Sequence, residues 1–332
     1  MSSLLIIGCG SIGERHLRCF AATGRAQLSA CDANPALLEK ICTQYAVPGF
    51  SSLDEALASG GFDGAVICTP AHLHLPMARQ LLEAGLHLLI EKPLATDQTL
   101  VPEVREAIAR SGRVVAVAYV YHFMAAVAAA RSAILRGELG RLLEASVVSG
   151  QHFPTFRPAY REIYYRDRRT GGGAIQDALT HLVNAMEWML GPVSRVFCDA
   201  SHRALEGVEV EDFAHVAARH GEIPVSYAMT QFQAPNEHVF LIHGELASLR
   251  IEIHQQRWGL MQRGETQWQW RQCPPVERDT LFMAQAAAFL DALEGKTTDL
   301  CSFEEAVQTL RFNEAALQSA NRGEVIHLSP LP

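Results

Sequence analysis

The opening of the chain constrains its fold more than any other stretch. A short apolar run, Leu4-Leu5-Ile6-Ile7, passes at once into Gly8-Cys9-Gly10-Ser11-Ile12-Gly13 and then into Glu14-Arg15-His16-Leu17-Arg18-Cys19-Phe20, which reads as a helix. Gly8 permits the tight turn, Gly10 lets a pyrophosphate approach the backbone, and Gly13 lets helix pack on strand. The helix N-terminus, at Ser11, Ile12 and Gly13, offers unpaired N–H groups to the phosphates. A second apolar stretch, Gln27-Leu28-Ser29-Ala30-Cys31, ends in Asp32, at the offset of about 20 residues where a carboxylate accepts hydrogen bonds from the adenosine ribose hydroxyls. Loop and acid together predict dinucleotide binding. Asp32 repels the 2′-phosphate of NADP and no arginine follows it in Ala33-Asn34-Pro35, so NAD is expected over NADP. Arg15 is the cation that could still reach such a phosphate.

Apolar runs at Leu4–Ile7, Leu28–Cys31, Gly64–Cys68, His87–Ile90 and Val114–Val120 alternate with helical patterns. Such alternation implies an α/β fold with a doubly wound parallel sheet over residues 1–120. Ligands of these sheets bind beyond the carboxyl ends of the strands. The glycine loop, Asp32, Thr69-Pro70 and Glu91-Lys92-Pro93 each follow a strand-like run directly, so four candidate contacts fall on one edge. After Tyr121 the pattern changes. Glu144–Gln151, Phe213–Arg219, Val225–Phe232, Val239–Ile242 and Ala247–Ile253 are strand candidates joined by short polar turns, which predicts an antiparallel meander. With two closing helices, about Asp279–Leu293 and Phe303–Ala320, residues 121–332 read as an α+β domain with an open, mainly antiparallel sheet. An open sheet would expose one large face, so a homodimer or homotetramer through it is expected. The uncharged stretch from Val114 to Ala130 divides into a buried strand and an alanine-rich helix rather than a membrane span.

Two domains suit 332 residues. A net charge of −8 argues against a nucleic-acid partner. The eight cysteines are scattered without a CxxC pair, and the glycine loop starts too early for a signal peptide, so the expectation is a cytoplasmic protein with free thiols. His72 and His74 lack the acid or cysteine neighbours of a metal cage, and no metal is expected.

Lysine is rare here, with three against 25 arginines, yet one of the three stands at Lys92 after the apolar Leu86–Ile90. An amine among apolar neighbours can share its proton where a guanidinium cannot, which suits acid/base work. A second cluster runs from Thr170-Gly171-Gly172-Gly173 to Asn184. Asp177 and His181 lie four apart, on one face of the predicted helix, where a carboxylate can hold an imidazole's tautomer and raise its basicity. An ordinary polar pair fits that spacing equally.

These features together resemble the Gfo/Idh/MocA oxidoreductases, named for glucose-fructose oxidoreductase and inositol dehydrogenase. The resemblance rests on the glycine loop, Cys68-Thr69-Pro70-Ala71-His72-Leu73-His74, Leu82-Glu83-Ala84-Gly85 leading to Glu91-Lys92-Pro93-Leu94-Ala95, and Gly171-Gly172-Gly173 with Asp177 and His181. It implies a Rossmann domain, hydride transfer between nicotinamide and a sugar or polyol carbon, and a catalytic group of Lys92, Asp177 and His181. In that scheme His181 is the base, Lys92 polarises the same oxygen, and Asp177 holds a neighbouring hydroxyl; lysine and histidine can exchange roles. The resemblance also implies a cis Lys92–Pro93 bond, with Thr69, Pro70, His74 and Glu91 lining the nicotinamide half. Ala71, His122 and Asn184 depart from the family's usual asparagine, arginine and aspartate. The segment Phe156 to Glu162 with Tyr164-Tyr165 resembles members from surface-polysaccharide or amino-sugar pathways. Arg157, Tyr160, Arg161, Tyr165 and Arg166 are the expected substrate contacts, with guanidinium forks suited to an anionic sugar. A redox-neutral glycoside hydrolase and a non-catalytic dinucleotide sensor are the alternatives within the same resemblance.

Overall fold

Leu4, Leu5 and Ile6 have no exposed surface, as a strand at the centre of a parallel sheet requires. The structure, a computed structural model, describes residues 1–330. The first unit begins β1 (Ser2–Ile7), α1 (Ser11–Ala22), β2 (Ala26–Cys31), α2 (Pro35–Tyr45), β3 (Gly49–Phe50) and α3 (Leu53–Ser59). It continues β4 (Gly64–Ile67), α4 (His74–Glu83), β5 (His87–Ile90), α5 (Val101–Ser111) and β6 (Val115–Val117). The strands stand in the order β3-β2-β1-β4-β5-β6, all parallel, so the winding reverses between β1 and β4. That reversal sets the glycine loop at the switch point of the sheet. Local chemistry marks the entry to α2, where the Asn34 side chain accepts the N–H groups of Ala36 and Leu37 ahead of a proline at the first turn.

The chain divides into Met1–Val120 with Glu277–Val307 as one unit, and Tyr121–Val276 with the residues from Gln308 on as the other. The segment Glu277–Val307 was expected in the second domain and packs in the first. Its helix Thr280–Leu293 carries Ala286, Phe289 and Leu290 into the cluster that holds Leu17 and Phe20 of α1, with the Phe20 and Phe289 rings edge to face at 6.1 Å. Burying each such phenyl contributes about 1.5–3 kcal/mol. Arg18 pairs with Asp279 at 2.8 Å and Arg25 with Asp291 at 2.8 Å on the rim of this contact. The two-residue strand Cys301–Ser302 then adds antiparallel to β6.

The second unit contains α6 (Ala125–Leu135), β7 (Leu142–His152), the helix Thr180–Leu190, β8 (Val193–Ser201), β9 (Phe213–His220) and β10 (Ile223–Thr230). Next come β11 (Phe232–Gly244), β12 (Ala247–Glu252), β13 (Arg257–Gln262) and β14 (Gln269–Gln272). Its sheet has nine strands, in the order β14-β13-β12-β11-β7-β10-β9-β8 followed by Ile326–His327. The expected meander is interrupted, because β7 inserts between β10 and β11 and runs parallel to β10. Period-two alternation tells which face of a strand is buried and leaves its neighbours open. One face, with Ala145, Val147, Tyr227, Phe240 and Leu249, forms a single core with Val183, Met186 and Phe312. The other is open, leaving Val148 48% and Phe197 42% exposed. No helix among the described residues is long and apolar enough to cross a membrane.

Candidate active site

The candidate residues fall into two groups, one in each unit. In the first, the glycines of the loop answer different demands. A side chain on Gly8, whose φ is +87°, would lie 2.9 Å from the Cys68 carbonyl, and one on Gly13 would lie 1.8 Å from the Gly8 oxygen. The protein itself therefore requires both. A Cβ on Gly10 would meet nothing within 4 Å, so the protein leaves room there for a ligand to come against the backbone. No side chain caps α1 at Gly10, which leaves its first N–H groups for an anion. Asp32 accepts the Cys9 N–H at 2.6 Å through one oxygen and the Asn34 N–H at 2.8 Å through the other. Each oxygen keeps a lone pair for a ribose hydroxyl. Arg15 lies over the Phe282 ring at 4.7 Å and pairs with Asp279 at 3.4 Å. These residues fit a dinucleotide without a 2′-phosphate.

Lys92 is half-buried at the end of β5, and the Lys92–Pro93 bond is cis. On one side Glu91 accepts the Lys92 N–H at 3.0 Å and His16 Nε2 at 2.7 Å, one through each carboxylate oxygen. On the other, His74 reaches the Pro93 carbonyl at 3.0 Å and the Thr69 carbonyl at 2.8 Å. Burial pushes the Glu91 carboxyl up, and the hydrogen bond from His16 with the charges of His16 and Lys92 more than offsets it, so the group lies below its ordinary value. Burial likewise holds the His74 imidazole below the usual histidine value. Glu91 and His74 were expected to line the nicotinamide half. With 6% and 1% of their surfaces exposed, they clamp the backbone around Lys92 through these bonds. Thr69 and Pro70 remain at the surface of the same edge.

In the second unit, Asp177 stands in a π-helical turn, Ile175–Leu179, that feeds the helix Thr180–Leu190. The expected single regular helix is thus widened at Asp177, just before His181, a distortion frequent at functional sites. Asp177 is buried and accepts the Tyr164 hydroxyl at 2.6 Å. The His181 ring stacks on Tyr121 at 5.3 Å with 19° between planes, and His122 stacks on Trp188 one helical segment further on, at 4.2 Å. Glu211, fully buried, accepts the Ile175 N–H at 3.2 Å and Arg168 at 2.8 Å, fixing the start of the turn. The same helix is tied along its length, where Asn313 donates to Thr180 and Thr309 donates to Glu187.

The expected substrate residues separate. Tyr160 and Tyr165 are 1% and 0% exposed, inside a cluster with Phe153, Leu205, Val208 and Val210. Their hydroxyls donate to the Glu206 carbonyl and to Gln231, so both are core residues; a tyrosine's apolar body outweighed the polar tip that suggested ligand contact. Arg161 pairs with Glu206 at 3.2 Å and Arg169 with Asp167 at 2.6 Å. Arg157 and Arg166 are exposed, and among the described residues neither has an ion pair. His16, Tyr121 and Glu211 escaped the sequence reading, and Tyr164 was noted there only as part of a resemblance, with no role. Only His16 left a signal, as the one polar residue among Gly13, Leu17 and Phe20 on the buried face of α1.

Residues 3–119 match the family model described as an oxidoreductase family with an NAD-binding Rossmann fold, and residues 127–250 match the GFO/IDH/MocA C-terminal domain. A myo-inositol dehydrogenase of Streptomyces leeuwenhoekii is 28% identical over 65% of this chain and 65% of its own length. A 1,5-anhydro-D-fructose reductase of Ensifer adhaerens is 26% identical, over 84% of this chain and 83% of its own. Among solved structures, the WlbA dehydrogenase from Bordetella pertussis in complex with NADH and UDP-GlcNAcA is 26% identical with a TM-score of 0.83, covering 100% of this chain and 99% of that one. A levoglucosan dehydrogenase in complex with NADH and levoglucosan has the same fold, with a TM-score of 0.88, 21% identity, and coverage of 98% and 99%.

Proposed function

The chain belongs to the Gfo/Idh/MocA oxidoreductase family, and from that premise we propose that it transfers a hydride between NAD and a hydroxyl-bearing carbon of a sugar, sugar derivative or polyol. The observation that carries this reading is the presence of Lys92, Asp177 and His181 together on a chain that matches both domains of the family. Relatives that act on inositol and on 1,5-anhydro-D-fructose support the substrate class. Nicotinamide, when bound, supplies the hydride acceptor. His181 takes the proton of the reacting hydroxyl, its ring plane set by Tyr121. The Lys92 ammonium polarises that same oxygen. Asp177, held by the Tyr164 hydroxyl, accepts a hydrogen bond from a neighbouring hydroxyl and orients the sugar.

The finer reading is a sugar carrying an anionic group, supported by the exposed guanidiniums of Arg157 and Arg166 and by the UDP-GlcNAcA bound to the Bordetella pertussis dehydrogenase. We extend the proposal to a homodimer or homotetramer through the open sheet face that exposes Val148 and Phe197, working in a reducing cytoplasm that suits eight free cysteines.

The test is turnover of NAD, then NADP, against neutral polyols, amino sugars, uronic acids and nucleotide sugars, read by nicotinamide absorbance. The expected result is NAD reduction with one class, lowered about 10²–10⁴-fold in Lys92→Ala. Arg166→Ala should raise KM for an anionic sugar more than for a neutral one. Tight NAD binding with no turnover on any class would overturn the reading.

A further inference from the structure

Lys92 projects from a backbone that is tied on each side by a different device. Upstream, Glu91 continues the strand ladder, its N–H donating to the Ile67 carbonyl at 2.9 Å. Downstream, His74 holds the Pro93 carbonyl. Between them, the Lys92 N–H lies past the end of β5 and donates to the Glu91 side chain at 3.0 Å. A glutamate side chain has three rotatable bonds, and by itself would leave that contact loose.

What removes the looseness is His16. Its Nε2 meets the second Glu91 oxygen at 2.7 Å with both side chains buried. The ring is wedged edge-on against Phe282 at 5.4 Å and tilted against Phe20 at 6.4 Å. Its Nδ1 is buried and has no hydrogen-bond partner. A carboxylate offers only acceptors, so Nε2 carries the hydrogen in either charge state of the ring. A hydrogen bond to a buried charge is among the stronger ones available, and a carboxylate left without it would bear the full cost of desolvation. His16 is on α1, the helix whose N-terminus offers its N–H groups to the dinucleotide phosphates.

Building on the proposed role of Lys92, we propose that His16 is a positioning residue for that amine, acting through Glu91 to tie the catalytic lysine to the cofactor-binding helix. The strap is a hydrogen-bonded chain from the second turn of α1 through the carboxylate to the Lys92 peptide. It moves no proton and touches neither substrate nor cofactor.

The scarcity of lysine makes the test direct. Selective ¹³C labelling at lysine Cε yields signals from Lys40, Lys92 and Lys296 alone, with Lys92→Arg identifying the central one, and it needs no substrate. His16→Gln places an amide N–H near the position of Nε2, whereas His16→Asn, equally polar, is too short to reach Glu91. The expected result is a shifted or split Lys92 signal in His16→Asn, return to the wild-type position in His16→Gln, and unmoved Lys40 and Lys296 signals in both. NADH affinity, read by fluorescence, should stay within about threefold of wild type, a change under 1 kcal/mol. A Lys92 signal in folded His16→Asn that superimposes on wild type overturns the strap, as does equal displacement in the two variants. A protein that shows the strap yet turns over no sugar would instead count against the proposed reaction, so the two failures are separable.

Discussion

The two groups of candidate residues are held by different physics. In the first unit, the Lys92 backbone is set by the buried Glu91 carboxylate, which accepts the Lys92 N–H and His16 Nε2, and by His74 at the Pro93 carbonyl. In the second, the His181 ring lies on the face of Tyr121 and Asp177 accepts the hydroxyl of Tyr164, a residue that is 39% exposed. The first arrangement sets the backbone that carries an amine, which suits a group that must meet a cofactor bound in one pose. The second sets a ring plane and a buried carboxylate, which suits a family that places different sugars against one cofactor chemistry. Ring stacking contributes about 0.5–1.5 kcal/mol and defines a plane rather than a point.

The most disruptive way to break this contrast is at the glycine loop. Gly13→Ala puts a methyl 1.8 Å from the Gly8 oxygen, a backbone collision that should cost about 4 kcal/mol or more and strongly lower the unfolding temperature. Gly10→Ala meets no protein atom and should leave stability unchanged while weakening NAD binding. If both variants lost stability equally, Gly10 would be a structural glycine and the cradle would be wrongly placed.

Acid is the next probe, and it acts mainly on the second unit. Burial holds His220 and His238 down to about 4 from 6.5. His220 reaches the Gly191 carbonyl at one nitrogen and the Tyr227 hydroxyl at the other, both at 2.7 Å, a pattern that suits a neutral ring. The unfolded chain takes up these protons near pH 6.5, and the folded unit only near pH 4. Stability is therefore full above pH 6.5 and falls as pH drops toward 4, by about 3 kcal/mol for each histidine. Thermal unfolding followed between those limits should show the loss, and His220→Gln should reduce its slope by about one proton. A flat profile would show that these rings are solvated.

The smallest expected effect sharpens the comparison most. Tyr164→Phe keeps the ring and removes the donor to Asp177. On whichever sugar proves to be the substrate it should lower kcat/KM about tenfold, near 1.4 kcal/mol, with little change in unfolding temperature. An unchanged kcat/KM would mean that the Tyr164 hydroxyl does not position Asp177 for the substrate.

Particular residues show how far the sequence could be read. The strand-loop-helix opening, Asp32, and the lysine after β5 were legible because each depends on local order: a steric need for glycine, an acid at the end of a strand, an amine in place of a guanidinium. Tyr160 and Tyr165 were misplaced because an aromatic phenol beside arginines looks the same whether it meets a sugar or a core. Glu91 and His74 were assigned to the right edge, but their partners were not visible.

By itself the sequence determined the parallel winding of the first 120 residues, the positions of the cradle and Lys92, and the family. Only the tertiary structure decided that Glu277–Val307 joins the first unit, that β7 divides the meander, and that His16, 75 residues from Glu91, secures it. The reason is physical. Steric limits and hydrophobic period act over a few residues and are written in the chain, whereas the partner of a buried polar atom or a sheet edge is chosen by packing among residues that are distant along the chain.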